Sequence, residues 1–552
     1  MDSTPSSGVS RRAFMRISGA ALAMMTLVEA CVPSAPSPPA PAVSKGGGAS
    51  GGVSLPTYVP FQGPKPDFAA SADGIVPPGY LTFPKELAKS TSGPVGKGEE
   101  VTFFTYSINP PPPPLDQNPA WQQMNTEIGV NLKFGTVALQ DWDQKLATML
   151  ASADMPDMLT LDVLGRLIPN ELEFMNRQCA DLTPFVSGDA VKAYPNLANF
   201  TPAAWKYCVR GGKIFALPRL TNSVGATMIV KQNLLDERGI KSFANKDEFL
   251  KFMQDVRSST NSYGIGGVQA ANMQFIAQLF RAPHRWRADN GKLIRNYETP
   301  EYKEAVAYLR TLWDAGVVSP DTPTFTQNSG AQSFYASKFA MYPTSFFAFG
   351  IAWDRLLRID KDFRLGAVLP FGHDGGKSVQ FQEWGGNQIT VLKKGSAERV
   401  KQLLGVLNYL AAPFGSREHL GNYFGVADVE HTLDARGNPV LTEKGLQDVQ
   451  YLATGTIISP PPYLFDAFDP GFVSVAHPIE MAAHDLAVVD PTVGLFSNTD
   501  AIKGATLTLA MEDGINSIIF GRAPVSTYDQ LVKDWRANGG DQIRGELETQ
   551  LS

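Results

Sequence analysis

The sequence predicts an α/β protein whose first folded part contains a mainly parallel β-sheet. Three short β-rich runs, at residues 101–106, 130–134 and 157–161, are bounded by polar or turn-forming residues, which is typical of buried strands. Two helical patterns separate them, at residues 120–127 and 141–150. Because alternating strands and helices are joined by crossover connections, this order favours parallel strands with helices packed on the sheet.

The composition indicates a globular protein and argues against binding to nucleic acid. The chain has 552 residues, of which 43% are hydrophobic and 18% charged, and its formal net charge is −6 with a pI near 5.7. This length allows a large two-lobed protein or several domains. A nucleic-acid-binding protein would carry a basic surface, so we expect no nucleic acid partner.

The N-terminus has the features of an export signal with a lipid attachment site. Residues 10–16 resemble a twin-arginine signal, and residues 17–28 form a mostly apolar run that is too short to cross a bilayer. The run leads to Cys31 in a sequence that resembles a lipobox, although Glu29 stands where a small residue is usual. We therefore expect residues 1–31 to be a lipoprotein signal and the protein to be extracytoplasmic, with lipid on Cys31 holding it at the cell membrane. An ordinary signal that is cleaved without lipidation is the alternative.

Two segments with little periodic structure follow this signal. Residues 32–53 are rich in Pro, Ser, Gly and Ala, a composition that buries no core and predicts a disordered tether. Residues 54–98 are rich in proline and are expected to wrap over the folded body. The body itself is expected to begin near Glu99.

Cys179 and Cys208 are the cysteines that follow Cys31 in the sequence. In an oxidising compartment two such residues can form a disulfide. Closing that loop would stabilise the fold by about 3–4 kcal/mol in the chain-entropy model. Two buried free thiols are the alternative, and the sequence leaves both interpretations open.

A well-marked helix follows Thr299 in the second half of the chain. Thr299 can cap it, Pro300 suits the first helical position, and Gly316 can end it in a left-handed conformation. Apolar residues recur between them at three- and four-residue spacing, so one face is expected to be buried. Just upstream, Trp286 stands among charged residues and ahead of an Asn-Gly pair, which predicts a short loop and a turn rather than a core element.

The stretch from residue 279 to residue 322 resembles the extracellular solute-binding proteins of family 1, in the branch of aldouronate- or alginate-type oligosaccharide-binding lipoproteins of ABC importers. Residues 212–218 (GKIFALP) and 332–342 (QSFYASKFAMY) also resemble segments of that family, and the resemblance covers most of the chain from about residue 99 to residue 547. In the first stretch, the matching positions are Trp286, Asp289, Gly291, Lys292, Pro300, Glu301, Tyr302, Lys303, Glu304, Ala305 and Gly316.

The resemblance implies a two-lobed periplasmic-binding-protein fold of type II, in which discontinuous α/β lobes are joined by a hinge. It places residues 99–222 and 381–500 in lobe 1, the latter with an irregular insertion, and residues 223–380 and 501–552 in lobe 2. It also implies a monomer that captures a solute in the interlobe cleft and delivers it to the permease subunits of an ABC importer. An oligosaccharide is the favoured solute, and uronate-containing oligosaccharides are among the candidates.

Enzyme signatures are absent from the sequence. No G-x-S-x-G, H-E-x-x-H or P-loop motif is present, and His477, Glu480 and His484 lack metalloprotease spacing. Residues 434–438 lack the alternating ligands of a calcium loop. We therefore predict no catalytic residue, no metal and no cofactor. An extracellular carbohydrate-active enzyme, a lyase or a hydrolase, remains the alternative, because a hydrolase needs two facing carboxylates that one sequence cannot pair in space.

Sugar recognition requires aromatic faces and planar polar groups on loops. Trp286 and Trp384 are the favoured stacking residues, and two glycines after Trp384 allow close approach of the backbone. If the ligand carries uronates, Arg219 and Arg285 are candidates to bind their carboxylates in a bidentate manner. The other candidate ligand-binding residues are Tyr106, Asn109, Trp353, Glu383 and Asn387.

Overall fold

The strands form two larger sheets and several two-stranded ribbons. The computed structural model describes residues 52–152, 154–161, 167–222, 224–383 and 385–551. In chain order the strands are β1 Gly79–Tyr80, β2 Glu99–Ser107, β3 Val130–Ala138, β4 Met158–Leu161, β5 Val209–Arg210, β6 Lys213–Ile214, β7 Ala216–Leu220, β8 Thr227–Lys231, β9 Tyr263–Ile265, β10 Trp286–Asp289, β11 Lys292–Arg295, β12 Phe339–Thr344, β13 Leu365–Val368, β14 Gln380–Gln382, β15 Gly386–Leu392, β16 His431–Leu433, β17 Pro439–Leu441, β18 Leu464–Phe465 and β19 Ala487–Val489.

Helices account for most of the remaining regular structure. In chain order they are α1 Pro119–Ile128, α2 Trp142–Ser152, α3 Glu171–Gln178, α4 Thr183–Val186, α5 Pro195–Ala198, α6 Pro202–Tyr207, α7 Gln232–Asp236, α8 Lys246–Thr260, α9 Gln269–Leu279, α10 Pro300–Asp314, α11 Gln327–Tyr335, α12 Phe346–Ile359, α13 Ala397–Leu410, α14 Arg417–Phe424, α15 Glu443–Asp448, α16 Thr454–Ile457, α17 Gly471–His484, α18 Ala505–Ile519, α19 Tyr528–Trp535 and α20 Asp541–Glu548. Across the described ranges, no helix combines the length and the apolar character that a membrane crossing requires.

Lobe 1 is built on a five-stranded sheet in the order β3-β2-β4-β15-β7. Strands β2, β3 and β4 are parallel, whereas β15 runs antiparallel to both β4 and β7. Helix α1 connects β2 to β3; the Asn118 side chain accepts the N–H of Trp121 at its start, and Gly129 ends it with a φ of 78°. The predicted alternation of strands and helices, and the parallel pairing that follows from it, are confirmed here.

Lobe 2 is built on a four-stranded sheet in the order β13-β8-β12-β9, in which β8 runs antiparallel to its two neighbours. Helix α10 covers part of this lobe and has the predicted ends. The Thr299 side chain accepts the N–H of Tyr302 at 3.3 Å, Pro300 occupies the first turn, and Gly316 follows the helix with a φ of 68°. Its buried face joins the core that also contains α9 and α18.

The C-terminal helices complete the core of lobe 2. Residues of α18, α19 and α20 belong to the same apolar cluster as the β10–β11 hairpin and α10. The hairpin turns at Asn290 and Gly291, whose φ angles of 49° and 77° are those of a type I′ turn. The chain therefore returns to lobe 2 at its end, as a discontinuous lobe requires.

Two chain segments link the sheets of the two lobes, and a third segment, between α17 and α18, lies beside them. The loop that leaves β7 for β8 is hydrogen-bonded to the loop that leads from β14 back to β15: Thr221 N donates to Gly385 O at 2.9 Å, and Gly225 N donates to Phe381 O at 3.1 Å. The third segment contains β19, which pairs in parallel with β14 before the chain enters α18. These hydrogen-bonded crossing segments form the hinge region.

The proline-rich segment before β2 lies against several parts of the body. Thr57 N donates to Gly188 O in lobe 1 at 3.0 Å, and β1 pairs in parallel with β18. Farther along, the backbone and hydroxyl groups of Ser90 and Thr91 donate to the carboxylate of Glu418. The backbone N–H groups of this segment thus donate hydrogen bonds to the folded body, and the segment forms no sheet of its own in the described residues.

Helix α17 departs from the expected division of the lobes. The sequence-based division places residues 381–500 in lobe 1, but Phe472 at the start of α17 packs against Phe349 and Trp353 of α12. These residues share an apolar cluster with strands β8, β12 and β13 of lobe 2. The apolar face of α17 is buried on lobe 2, so this part of the stretch is corrected to that lobe.

The two cysteines of the body lie in one apolar cluster of lobe 1, with Cys179 2% exposed and Cys208 fully buried. Cys179 is a free thiol, so the structure has the buried thiol rather than the disulfide at this position. Burial raises the pKa of the Cys179 thiol to about 12, and the nearby Glu171 adds to the shift. The thiolate population is therefore small and the residue is expected to be unreactive.

Candidate functional site

The crossing segments bring corresponding edges of the two sheets together. Strand β7 ends at Leu220 beside Gly386, the first residue of β15, and β8 begins at Thr227 opposite Thr344, the last residue of β12. Residues 221–226 join these edges, and a chain of that length spans at most about 25 Å. The two edges therefore lie on either side of an interlobe cleft.

A cavity of about 560 Å³ lies between the lobes beside the third segment. Helix α3 of lobe 1 forms one wall and helix α20 of lobe 2 forms another. Its polar and aromatic lining includes Asn170, Glu173, Phe496, Asn498, Glu546 and Gln550.

Hydrogen bonds hold the third segment in place at this cavity. Asn170 N donates to Asn498 Oδ1 at 2.9 Å, which connects the start of α3 to the segment. On the other side, Phe496 N donates to Gln550 Oε1 at 3.2 Å and Gln550 Nε2 donates to Phe496 O at 2.7 Å. The backbone of Phe496 is thus held by the side-chain amide of Gln550.

An ionic group lies at the second crossing segment. His284 Nε2 is 3.4 Å from Glu383 Oε1, and the imidazole stacks on Phe381 with ring centroids 4.8 Å apart. Burial alone would raise the pKa of Glu383, but the hydrogen bond from His284 and the positive charges of His284 and Arg285 lower it to about 2. Glu383 is therefore a carboxylate at neutral pH.

Arg285 extends this group toward lobe 1. Its backbone has a φ of 60°, which is uncommon for a residue other than glycine. Burial would lower the pKa of its guanidinium, but the charges of Glu383 and Asp490, followed by those of Tyr207 and Asp500, raise it. The side chain nevertheless remains solvent-exposed. A cation that is close to several acidic groups and still accessible to solvent, as Arg285 is, is expected in the wall of a cleft.

A second polar group lies at the edge of the lobe 1 sheet. Tyr106 Oη donates to Gln388 Oε1 at 2.9 Å, and Gln388 Nε2 donates to the carbonyl of Thr456. Beside them, Arg219 donates from Nε to Gly455 O at 2.7 Å and from Nη1 to Asn387 Oδ1 at 3.1 Å. The fold thus brings together three of the predicted residues, Tyr106, Arg219 and Asn387, around helix α16.

The two predicted tryptophans that the structure describes lie in the cores. Trp286 is 3% exposed, its ring centroid is 6.1 Å from that of Trp535, and the guanidinium of Arg295 lies 5.1 Å from its ring. Trp353 is 8% exposed within α12, and its Nε1 donates to Asp469 Oδ2 at 3.1 Å. Both interpretations as stacking residues are corrected, because packing and hydrogen bonding to the protein occupy these rings.

Asn109 and Trp384 complete the predicted set. Asn109 is exposed just beyond β2, where its Nδ2 donates to Gln450 O at 3.3 Å. Trp384 lies outside the described residues, and so does Cys31 with the whole signal.

Sequence reasoning missed several residues of the cleft. His284 directly precedes Arg285 in the sequence, and this adjacency to a predicted site residue is the signal that could have identified it. Asp490, Phe496 and Asp500 lie in a stretch without periodic structure, and nothing local connects them to the cleft. Their role becomes visible only through contacts made across the fold.

Metal chemistry finds no support in the described part of the chain. Within it, no group of three or more His, Cys, Asp and Glu residues is arranged to hold a metal ion. His477 and His484 make other contacts instead: His477 Nε2 is 2.9 Å from Ala69 O, and His484 Nε2 is 3.1 Å from Asp73 Oδ2.

Two α/β lobes, two crossing segments and an interlobe cavity define a solute-binding protein with the two-lobed periplasmic-binding-protein fold. The chain belongs to the family described as bacterial extracellular solute-binding protein, whose model matches residues 120–418.

The chain is similar to two sequence relatives and to a solved structure. The polygalacturonan/rhamnogalacturonan-binding protein YtcQ of Bacillus subtilis (strain 168) is 21% identical over 443 residues, which cover 77% of this chain and 85% of the relative. Lipoprotein LipO of the same organism is 22% identical over 494 residues, 84% of this chain and 93% of the relative. The solved structure of an HMO-binding, ABC-transporter-associated solute-binding protein from Bifidobacterium longum infantis superposes with a TM-score of 0.62 at 14% identity, covering 82% of this chain and 98% of that one.

Proposed function

We propose that this protein binds an oligosaccharide in the cleft between its lobes and delivers it, with the lobes closed, to the permease subunits of an ABC importer. The observation that carries this proposal is the interlobe cavity, whose walls come from lobe 1, from the third segment and from lobe 2. A ligand there contacts both lobes, so its binding favours the closed arrangement.

The chemistry of the cleft supports a saccharide. Sugar rings combine apolar C–H faces with hydroxyl groups, and proteins bind them with aromatic rings and planar amides. The cavity supplies the ring of Phe496 together with the amides of Asn170, Asn498 and Gln550. The names of two similar proteins, one a polygalacturonan/rhamnogalacturonan-binding protein and the other an HMO-binding protein, support the same class of ligand.

The hinge supports a cycle of opening and closing. Backbone hydrogen bonds between the crossing segments, such as Gly225 N to Phe381 O, hold the segments side by side while leaving the lobes to rotate. A permease that recognises the closed arrangement would distinguish loaded from empty protein. The protein acts as a monomer in this scheme, since one chain supplies both walls of the cavity.

The location follows from the family and from the N-terminus. Members of the family are extracellular, and we propose that residues 1–31 direct twin-arginine export and that Cys31 carries the lipid anchor. The similar protein named as a lipoprotein supports this assignment. Fractionation of cells that express the wild type and Cys31→Ser tests it: the wild type should be in the membrane fraction and the variant outside it. Equal membrane retention of both proteins would refute the anchor.

A thermal-shift screen tests the proposed function. The protein is heated with neutral oligosaccharides, uronates, free amino acids and peptides, and a ligand present at 100 times its Kd should stabilise the protein by about 2.7 kcal/mol. We expect a shift with one class of glycan, which Phe496→Ala and Gln550→Ala reduce and the exposed helix variant Gln144→Ala retains.

Two outcomes would overturn the proposal. A rise in melting temperature with peptides or amino acids alone would be consistent with a solute-binding protein but would contradict a saccharide ligand. Recovery of a cleaved glycan, detected by mass spectrometry, would favour the carbohydrate-active enzyme instead.

A further inference from the structure

The charge of the described cleft is predominantly negative. Glu173 and Glu546 are the charged residues that line the cavity. Beyond the lining, the negative charges of Glu383, Asp490 and Asp500 act on Arg285.

Three arginines of this region, Arg210, Arg285 and Arg295, interact with acidic groups of the protein. Arg210 Nε is 2.7 Å from Glu171 Oε1, and both side chains are almost fully buried. The negative charges of Glu383 and Asp490 act on Arg285, and the charge of Arg295 acts on Asp500. Taking the Arg210 guanidinium for a ligand would deprive the buried Glu171 carboxylate of this partner, which is costly in a buried site.

The rest of the polar lining is uncharged. Asn170 and Asn498 contribute side-chain amides, which can pair with sugar hydroxyls as donors and acceptors, while the Gln550 amide is hydrogen-bonded to Phe496 and to Glu546 O. A carboxylate on the ligand would instead lie near Glu173 and Glu546, and like charges at short distance repel.

We infer that the cleft selects uncharged oligosaccharides and disfavours those that carry uronate carboxylates. This inference rests on the proposed function and narrows it, since it corrects the expectation that Arg219 or Arg285 binds a uronate. Arg219 already donates hydrogen bonds to Gly455 O and Asn387 Oδ1, and the negative charges of Glu383 and Asp490 act on Arg285.

Calorimetric titration of the purified protein with matched glycans tests this selection. Tetragalacturonate and its tetramethyl ester share one backbone and differ in charge, and xylotetraose with its glucuronate-bearing form makes a second pair. We expect the uncharged member of a pair to bind at least about tenfold more tightly at low salt. Binding of a neutral glycan from the thermal-shift screen in the absence of any uronate binding would support the same conclusion.

Tighter or equal binding of the charged members would overturn the inference and leave the saccharide function intact. Binding of no glycan in either experiment would remove the saccharide function and the inference together. The two failures are therefore distinguishable.

A charge-reversal variant locates the effect. Glu173 is exposed on α3, so Glu173→Lys is expected to fold, and it should raise the affinity for tetragalacturonate about threefold or more relative to any change in the affinity for the ester. Glu304→Lys makes the same change on an exposed position of α10 away from the cavity and is the matched control. An equal gain in both variants would assign the effect to net charge and contradict a local origin in the cleft.

Discussion

At the scale of single residues, the hinge region contains Glu383, a partly exposed carboxylate that is paired with the buried His284. Glu383 remains ionised because His284 donates a hydrogen bond to it and Arg285 lies nearby, although burial acts in the opposite direction. The pKa of Glu383 in the folded protein, about 2, is below the value of about 4.3 expected for an unfolded chain. Its ionisation therefore stabilises the fold above the unfolded pKa, and this contribution is lost as the pH falls through the folded pKa.

Glu383→Gln should remove this pH dependence. The difference in unfolding free energy between the wild type and the variant is expected to be largest near neutral pH and to shrink as the pH falls from about 4 to about 2. Urea denaturation across this range measures it, with Asp354→Asn on α12 as a control. A difference that stays constant with pH would contradict the assignment of the charge to Glu383.

The second prediction for a single residue concerns the contribution of Trp286 to stability. Because its ring is buried against Trp535 and under Arg295, Trp286→Ala should lower the unfolding free energy by about 3–5 kcal/mol. Trp286→Phe keeps most of the apolar volume and should cost less. Thermal denaturation provides the comparison, and a Trp286→Ala protein with unchanged stability and lost glycan affinity would restore this residue to the binding site.

At the scale of elements, the crossing segments are packed too closely for a side chain at Gly225. A Cβ at this position would lie 2.3 Å from Phe381 O, a backbone atom that cannot move without separating the segments. Gly225→Ala is therefore expected to destabilise the protein by about 1–3 kcal/mol.

Gly395→Ala is the matched control, because the nearest atoms to its Cβ lie at 3.7 Å and its backbone is not in the left-handed region. The denaturation midpoints of both variants measure whether Gly225→Ala lowers stability more than Gly395→Ala does. An equal effect at the two positions would show that the close approach of the hinge segments does not limit the side chain.

Glu480 on α17 gives the hinge region a second pH dependence, of opposite sign. It accepts a hydrogen bond from Asn222 Nδ2 at 2.8 Å, and burial raises its pKa to about 8. The folded state holds a proton that the unfolded state loses at lower pH, so stability is fully present below the unfolded pKa and decreases as the pH rises through the folded one.

Glu480→Gln should therefore be more stable than the wild type at high pH and close to it at low pH. Between about pH 5 and about pH 8 the wild type should lose up to about 1.4 kcal/mol per pH unit relative to the variant. Melting temperatures measured across this range test the sign. Parallel profiles for the two proteins would show that Glu480 is ionised in the fold.

At the scale of the whole molecule, local patterns predict the lobes better than they predict the cleft. Strand and helix periodicity identifies the β2–β4 region, and the capping residues Thr299, Pro300 and Gly316 mark α10, because these signals lie within a few residues of one another. The Asn-Gly turn after Trp286 was identified, but the β10–β11 hairpin around it was not. The charged neighbours of Trp286 predict a loop. Its ring is instead buried by the C-terminal helices, which lie more than 200 residues further along the chain.

The cleft depends on pairs that are distant in sequence. His284 meets Glu383, Asn170 meets Asn498, and Phe496 meets Gln550, and each pair forms only when the chain crosses between lobes. A single sequence contains no signal for such partners. The predicted polar residues Tyr106, Arg219 and Asn387 converge because each lies on or beside a strand of one sheet, which strand assignment alone places within reach.

The central claim is that a glycan bound between the lobes closes them without being cleaved. Spin labels at Glu398→Cys on α13 of lobe 1 and Glu304→Cys on α10 of lobe 2 report the distance between the lobes by pulsed electron paramagnetic resonance, with and without a saturating neutral oligosaccharide from the thermal-shift screen. We expect a narrower distribution of distances in the bound state and an intact glycan after the measurement. An unchanged distribution with the glycan bound, or recovery of a cleaved glycan, would contradict it.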